Sequence, residues 1–229
     1  MIARTTPSPA RSASGERTFF ALVVALTAVA MGVSMAGSDL SAAPAISHLI
    51  AVSVRFSVPW LYLAFAASSI AVLWPGPASR WLLRRRRVIG LCYAAGMAWQ
   101  LLFILWLVLV HRDWYMEVQY SPYSLVEEIP GYILLAAMTV TSFGPGRRAL
   151  RPAQWRTLHT AGIYFLWGES WSTYWFEIYD THDVQWTDTV FYWLGLAAWL
   201  LRAAAWMHKQ QSGIPQESLT DNGASPHLI

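Results

Sequence analysis

The chain has 229 residues, of which 55% are hydrophobic and only 13% charged, whereas a soluble domain carries about a quarter charged residues. Its formal net charge is +3, and its single cysteine, Cys92, excludes an intrachain disulfide and any cysteine-based metal cluster. The apolar residues fall in long blocks instead of short periodic stripes, which reads as membrane spans.

Residues 1–17 combine Pro, Ser and Ala with Arg4, Arg11 and Arg17 and read as a disordered basic leader. Thr18 to Gly37 is the first apolar block. Its length matches the ~20 residues that cross a bilayer better than a signal-peptide core, although Ser41-Ala42-Ala43-Pro44-Ala45 offers small residues for cleavage. The second block runs from Ile46 to Trp74, carries Arg55 and Pro59, and stops at Pro75-Gly76-Pro77. The third, Val88 to Val110, contains Cys92, which reads as a small buried hydrophobe. The fourth, Ile129 to Phe143, opens with Pro130 in a position suited to a first helical turn. The fifth is Trp155 to Phe176, and the sixth Val190 to Trp206. The polar tail 208–229 reads as disordered, and no segment between spans is long enough to fold alone.

Charge fixes the expected orientation. The leader, the second loop (Arg80, Arg84, Arg85, Arg86, Arg87), the fourth loop (Arg147, Arg148, Arg151, Arg156) and the end of the sixth span (Arg202, Lys209) hold 14 of the 16 basic residues. The alternate loops hold Asp39, Asp113, Glu117, Glu127, Glu128, Glu177, Asp180, Asp183 and Asp188. By the positive-inside rule this predicts an all-α bundle of six transmembrane helices over residues 18–207, with N- and C-termini cytoplasmic. The cytoplasmic (bacterial inner) membrane is the expected location. The basic loops set topology and meet anionic lipid head groups, so the bilayer is the partner and nucleic acid is not.

Ionisable groups inside a bilayer are costly enough to mark function. Arg55 and Glu169 lie at matching depths, roughly 10–14 Å below the outer boundary at ~1.5 Å per residue. An Arg55–Glu169 ion pair is therefore expected. It reads as a structural clamp between the second and fifth spans, or as a proton-relay or cofactor-propionate site; independent partners are the other option. His159 sits one turn inside the fifth span, and Gln100 near the middle of the third beside Ala94, Ala95, Gly96 and Ala98, small residues that favour close helix packing. His48, His111 and His182 all fall on the outer side without a metal-ligand spacing.

Three segments carry a resemblance. Arg86-Arg87-Val88-Ile89-Gly90-Leu91 opens the third span, Thr139-Val140-Thr141-Ser142 ends the fourth, and Trp155-Arg156-Thr157-Leu158-His159 followed by Tyr164 opens the fifth. With Arg55 and the six-span layout, residues 46–207 resemble the ferric reductase-like transmembrane domain family, nearest its branch of haem-binding membrane subunits of bacterial methionine sulfoxide reductase. The resemblance implies b-type haem between the third and fifth spans, each iron held by two histidines, with electrons passed across the membrane from another subunit. His159 matches the first fifth-span ligand. The second ligand position is Ser172, and the third-span ligand aligns with Gln100. Serine and glutamine are poor axial ligands, so no complete pair is present.

Two readings of function follow from this. One is an electron-transfer subunit that keeps a single haem on His159 with an unidentified second ligand, working with a soluble or peripheral oxidoreductase subunit and carrying no flavin or nicotinamide domain of its own. The other is a haem-free descendant acting as a membrane scaffold or partner-binding subunit. A small transporter built around Arg55 and Glu169 is less well supported, since Gly/Pro-broken helix pairs are missing. Fold alone decides none of these.

Overall fold

A computed structural model describes residues 9–120, 122–180 and 184–212, and these are helical throughout apart from short connections. The helices are α1 (Pro9–Ala36), α2 (Ala43–Leu73), α3 (Pro77–Val110), α4 (Arg112–Trp114), which runs on into a π-helical turn at Tyr115–Gln119, α5 (Pro122–Val140), α6 (Gly144–Arg148), α7 (Pro152–Tyr179) and α8 (Trp186–Ser212). Every apolar block of the sequence is a helix. Four helical stretches are long and apolar enough to cross a membrane: Gly15–Ala36, Ala43–Leu73, Pro77–Val110 and Trp186–Gln211. The apolar part of α5 is shorter, Glu128–Val140. α7 spans 28 residues, but Gln154, Arg156, His159 and Glu169 interrupt its apolar character.

The boundaries differ from the sequence reading in instructive ways. α1 begins at Pro9, inside the segment expected to be a leader; residues 1–8 and 213–229 lie outside the described residues. α3 begins at Pro77, so Arg80 to Arg87 are helical and not loop. At ~1.5 Å per residue, the 34-residue α3 is about 51 Å long and outruns a hydrocarbon core of about 30 Å. Its basic first turns are the projecting end of a span. Pro130 lies within α5, which starts at Pro122, and not in a first turn.

Local chemistry explains several helix starts. α2, α3, α6 and α7 each carry proline in the first two helical positions, where the missing N–H would be unsatisfied anyway. Before α3, the Gly76 N–H donates to Ser79 Oγ at 2.9 Å, and that hydroxyl donates to Trp74 O at 2.7 Å. Before α7, the Arg151 N–H donates to Gln154 Oε1 at 3.0 Å. These are side chains reaching back to close an open helix end. Between α1 and α2, Asp39 accepts the Ser41 hydroxyl at 2.6 Å and the Ser41 N–H at 3.0 Å, and these donors hold its carboxyl below the usual carboxylate range.

α2 is the axis of the bundle. Half of its most apolar stretch is buried, against 17–22% for α1, α3 and α8. It packs on α3, α8, α7 and α1, while α5 lies outside, against α7 and α3. One core gathers Leu61, Phe65, Ile89, Tyr93, Leu166 and Tyr192 from four helices. A second joins Met31, Ile46, Leu49, Phe103 and Leu107 of α1, α2 and α3. The small-residue run of α3 allows the closest approach: Gly96 lies against Ser57, and a Cβ at Gly96 would overlap both the hydroxyl and the Cβ of that serine.

Gly96→Ala should therefore destabilise the bundle by about 1–3 kcal/mol, the usual cost of overpacking. Thermal melts of the detergent-solubilised protein check this. Combined with Ser57→Gly, the loss should be smaller than the sum of the two single losses, because the overlapping atoms are gone.

Candidate functional site

Arg55 does form an ion pair, but with a different carboxylate from the one expected. Its Nη2 lies 3.2 Å from Asp188 Oδ1 in the first turn of α8, with the Asp188 side chain only 4% exposed and that of Arg55 22% exposed. Asp188 also accepts the Gln185 N–H at 3.1 Å on its other oxygen, closing the start of α8. Two features bring Asp188 to Arg55. α8 packs closely on α2, and it begins at Trp186, four residues before the apolar block, which carries Asp188 into the helix. A carboxylate in a first helical turn is further favoured by the helix dipole.

Glu169 faces a different helix. Its carboxylate lies against the backbone of Gly131 in α5, so closely that a Cβ there would collide with both oxygens. It is within electrostatic reach of Tyr93 and Tyr132, and Tyr93 is hydrogen-bonded to Ser170 beside it. Ser172, at the second ligand position, donates to Glu169 O of its own helix at 2.9 Å. The Arg55 and Glu169 charges thus belong to two separate polar contacts, α2 with α8 and α5 with α7.

His159 is built into the end of the bundle where α5 finishes and α7 begins. Its Nε2 and Thr141 Oγ1 are 3.1 Å apart, and its ring lies over Trp155 with centroids 4.2 Å apart. Trp155 Nε1 donates to Thr141 O at 3.1 Å, and the Arg147 guanidinium lies over the indole at 3.8 Å from the ring centroid. The residues of the two motif segments, Thr141 and Trp155–His159, therefore lock the end of α5 to the start of α7. The charged neighbours of His159 are Arg86 and Arg147, both cationic.

These positions do not assemble a ligand pair for haem iron. Two axial donors on one iron must stand at the same depth on opposite sides of the metal. Arg86 of α3 is near His159, and Gln100 is 14 residues further along that helix, about 21 Å away. Gln100 Oε1 is itself buried without a hydrogen-bond partner. Among the described residues no group of three or more His, Cys, Asp or Glu could hold a metal. His48 and His111 contribute to none, and His182 lies outside the described residues.

The contacts that sequence reading missed are ties from side chains to backbone carbonyls. Arg86 Nε donates to Ala64 O at 2.9 Å and Arg202 Nη1 to Phe65 O at 3.1 Å, so α3 and α8 grip consecutive carbonyls of α2. Trp167 Nε1 donates to Gly195 O at 3.0 Å and Trp171 Nε1 to Tyr192 O at 3.2 Å, joining α7 to α8. Rings stack along the same seam: Phe65 on Trp167 at 5.4 Å, Trp167 on Trp171 at 5.8 Å, and Trp171 on Tyr192 at 5.4 Å. The i, i+3, i+4 spacing of Tyr164, Trp167, Trp171 and Trp175 was the available signal, since it puts these rings on one face of α7.

No family model matches the chain, and neither does any curated protein or solved structure. Chemically, the arrangement provides paired or backbone-bound charges and stacked aromatics, which hold helices together.

A double-mutant cycle tests the ion pair. Arg55→Met or Asp188→Leu alone should cost about 3–5 kcal/mol, because each leaves a buried charge uncompensated. The double mutant should recover 0.5–3 kcal/mol of the summed loss. A cycle pairing Arg55→Met with Glu169→Leu should be additive.

Proposed function

We propose that this chain is a membrane subunit of the ferric reductase-like type in which haem binding has been reduced or lost, with the former ligand positions turned to holding the bundle. The layout in this reading is six spans, with α5 and α7 crossing beside the four longer apolar helices and both termini in the cytoplasm. Its location is the cytoplasmic membrane. The observation that supports it is His159: its Nε2 is engaged by Thr141 and its ring by Trp155, and its neighbour on α3 is the cationic Arg86. The fifth-span helix of this reading, α7, spends its tryptophan N–H groups and stacked rings on α8, which ties it into the bundle without a cofactor.

On this reading the chain anchors or positions a peripheral oxidoreductase subunit without carrying the electrons itself. A plain scaffold with no redox partner is the alternative, favoured by the same closed interior. A co-purification from the native membrane separates the two: a flavin- or molybdopterin-bearing partner supports the first.

Two measurements test the proposal. Reporter fusions after Ser212 and after Leu150 should both report the cytoplasm, and one after Gln119 the opposite side. Protein purified from haem-replete cells should show no Soret band that shifts with dithionite. His159→Phe should only lose a hydrogen bond, about 1 kcal/mol, or about 2–4 °C in melting temperature. A dithionite-sensitive Soret band that disappears in His159→Ala would overturn the loss of haem.

A further inference from the structure

Two guanidiniums in the inner half of the bundle, Arg86 and Arg202, are fixed by backbone carbonyls and not by a carboxylate. Arg86 on α3 and Arg202 on α8 spend one N–H each on the Ala64 and Phe65 carbonyls, and they are close enough to act on each other electrostatically. Arg202 also donates from Nε to Tyr164 Oη at 2.9 Å. Its guanidinium lies 4.5 Å from the Phe65 ring centroid and 4.4 Å from that of Tyr164. The plane is thus held rigidly by two aromatic faces, and its Nη2 donors have no partner among the described residues. The Arg55–Asp188 ion pair is at the other end of the bundle.

Arg202 opens onto a groove of 240 Å³ between α7 and α8, lined with Tyr164, Trp199, Ala203 and Trp206. Trp199 and Trp206 are 41% and 57% exposed, on the outside of the bundle. A fixed guanidinium fork with free donors is matched to a phosphate. Two tryptophans beside it, at the depth where basic residues gather, match a glycerol backbone and the start of an acyl chain. Basic pockets between helices on the cytoplasmic side hold anionic head groups in this manner.

We propose that this groove is a stoichiometric site for an anionic phospholipid of the inner leaflet. Its phosphate would sit on Arg202, with Arg86 supplying the second positive charge; its acyl chain would run past Trp199 toward the bilayer centre, and Trp206 would stand beside the head group and glycerol. The inference rests on the membrane orientation proposed above and not on the fate of haem. A neutral lipid would leave the two charges uncompensated, and charge complementarity is what selects the occupant.

The test uses the full-length chain, delipidated in mild detergent, with thermal melting as readout. Phosphatidylglycerol should raise the melting temperature by about 3 °C or more at saturation, the linkage expected of a ligand that binds only the folded state. Phosphatidylcholine and inorganic phosphate at equal concentration should not. Native mass spectrometry should show one retained anionic lipid per chain. Arg202→Gln should abolish the selectivity while Arg202→Lys keeps part of it. Trp206→Ala, which touches no interhelical hydrogen bond, should weaken the lipid effect without lowering the lipid-free melting temperature, so that a folding defect in Arg202→Gln does not decide the outcome. Equal stabilisation by both phospholipids, or full retention in Arg202→Gln and Trp206→Ala, overturns the site. Stabilisation by inorganic phosphate alone overturns the lipid as occupant. If the reporter fusions place both termini in the cytoplasm while the lipid effect is absent, this inference fails and the orientation stands.

Discussion

A bilayer offers neither donors nor acceptors, so a polar group placed inside it has to find its partner within the protein. That constraint accounts for most of the contacts seen here. Arg55 meets Asp188, Trp167 and Trp171 donate to carbonyls of α8, and Arg86 and Arg202 take successive carbonyls of α2. α2 sits in the middle because its small and apolar residues let four helices approach it. Apart from Arg55, the polar ties described for it come from the neighbours, whose long side chains cover the distance.

The bundle has two ends of different character. At the end where α8 begins, Arg55 is paired with Asp188, which also serves the helix start by accepting the Gln185 N–H. At the opposite end Arg86, Arg147 and Arg202 rest on carbonyls and rings, which balance geometry without neutralising charge. Arg202, Phe65, Tyr164 and Trp167 make one cluster: the guanidinium lies against Phe65 and Tyr164, which meet edge to face, and Phe65 stacks on Trp167. An arginine in such a cluster contributes dispersion and cation–π attraction of about 0.5–2 kcal/mol, whatever occupies its free side.

What was legible in the sequence was the set of helices. Each apolar block is a helix because block length and proline placement are properties of one segment at a time. The ends were less legible: α3 begins eleven residues before its apolar run, since helix propagates through Arg80–Arg87 once Pro77 and Ser79 have started it. Partner choice was not legible at all. Depth along a helix can be counted from sequence, but azimuth and neighbour cannot, so Arg55 and Glu169 looked matched although they face α8 and α5. The motif containing His159 was visible as a pattern of residues. Its use, a lock between Thr141 and Trp155, depends on how α5 and α7 end beside one another.

The Arg55–Asp188 pair joins residues 133 positions apart in the chain. Synthesis proceeds at about 5–20 residues per second, so roughly 7–27 s separate the appearance of the arginine from that of its carboxylate. During that interval α2 has to be accommodated with an unmatched cation along its length. The central helix of the finished bundle is therefore the one least able to settle early. Its final seat waits on the last helix to be made, which makes assembly of this protein a closure from the C-terminal end.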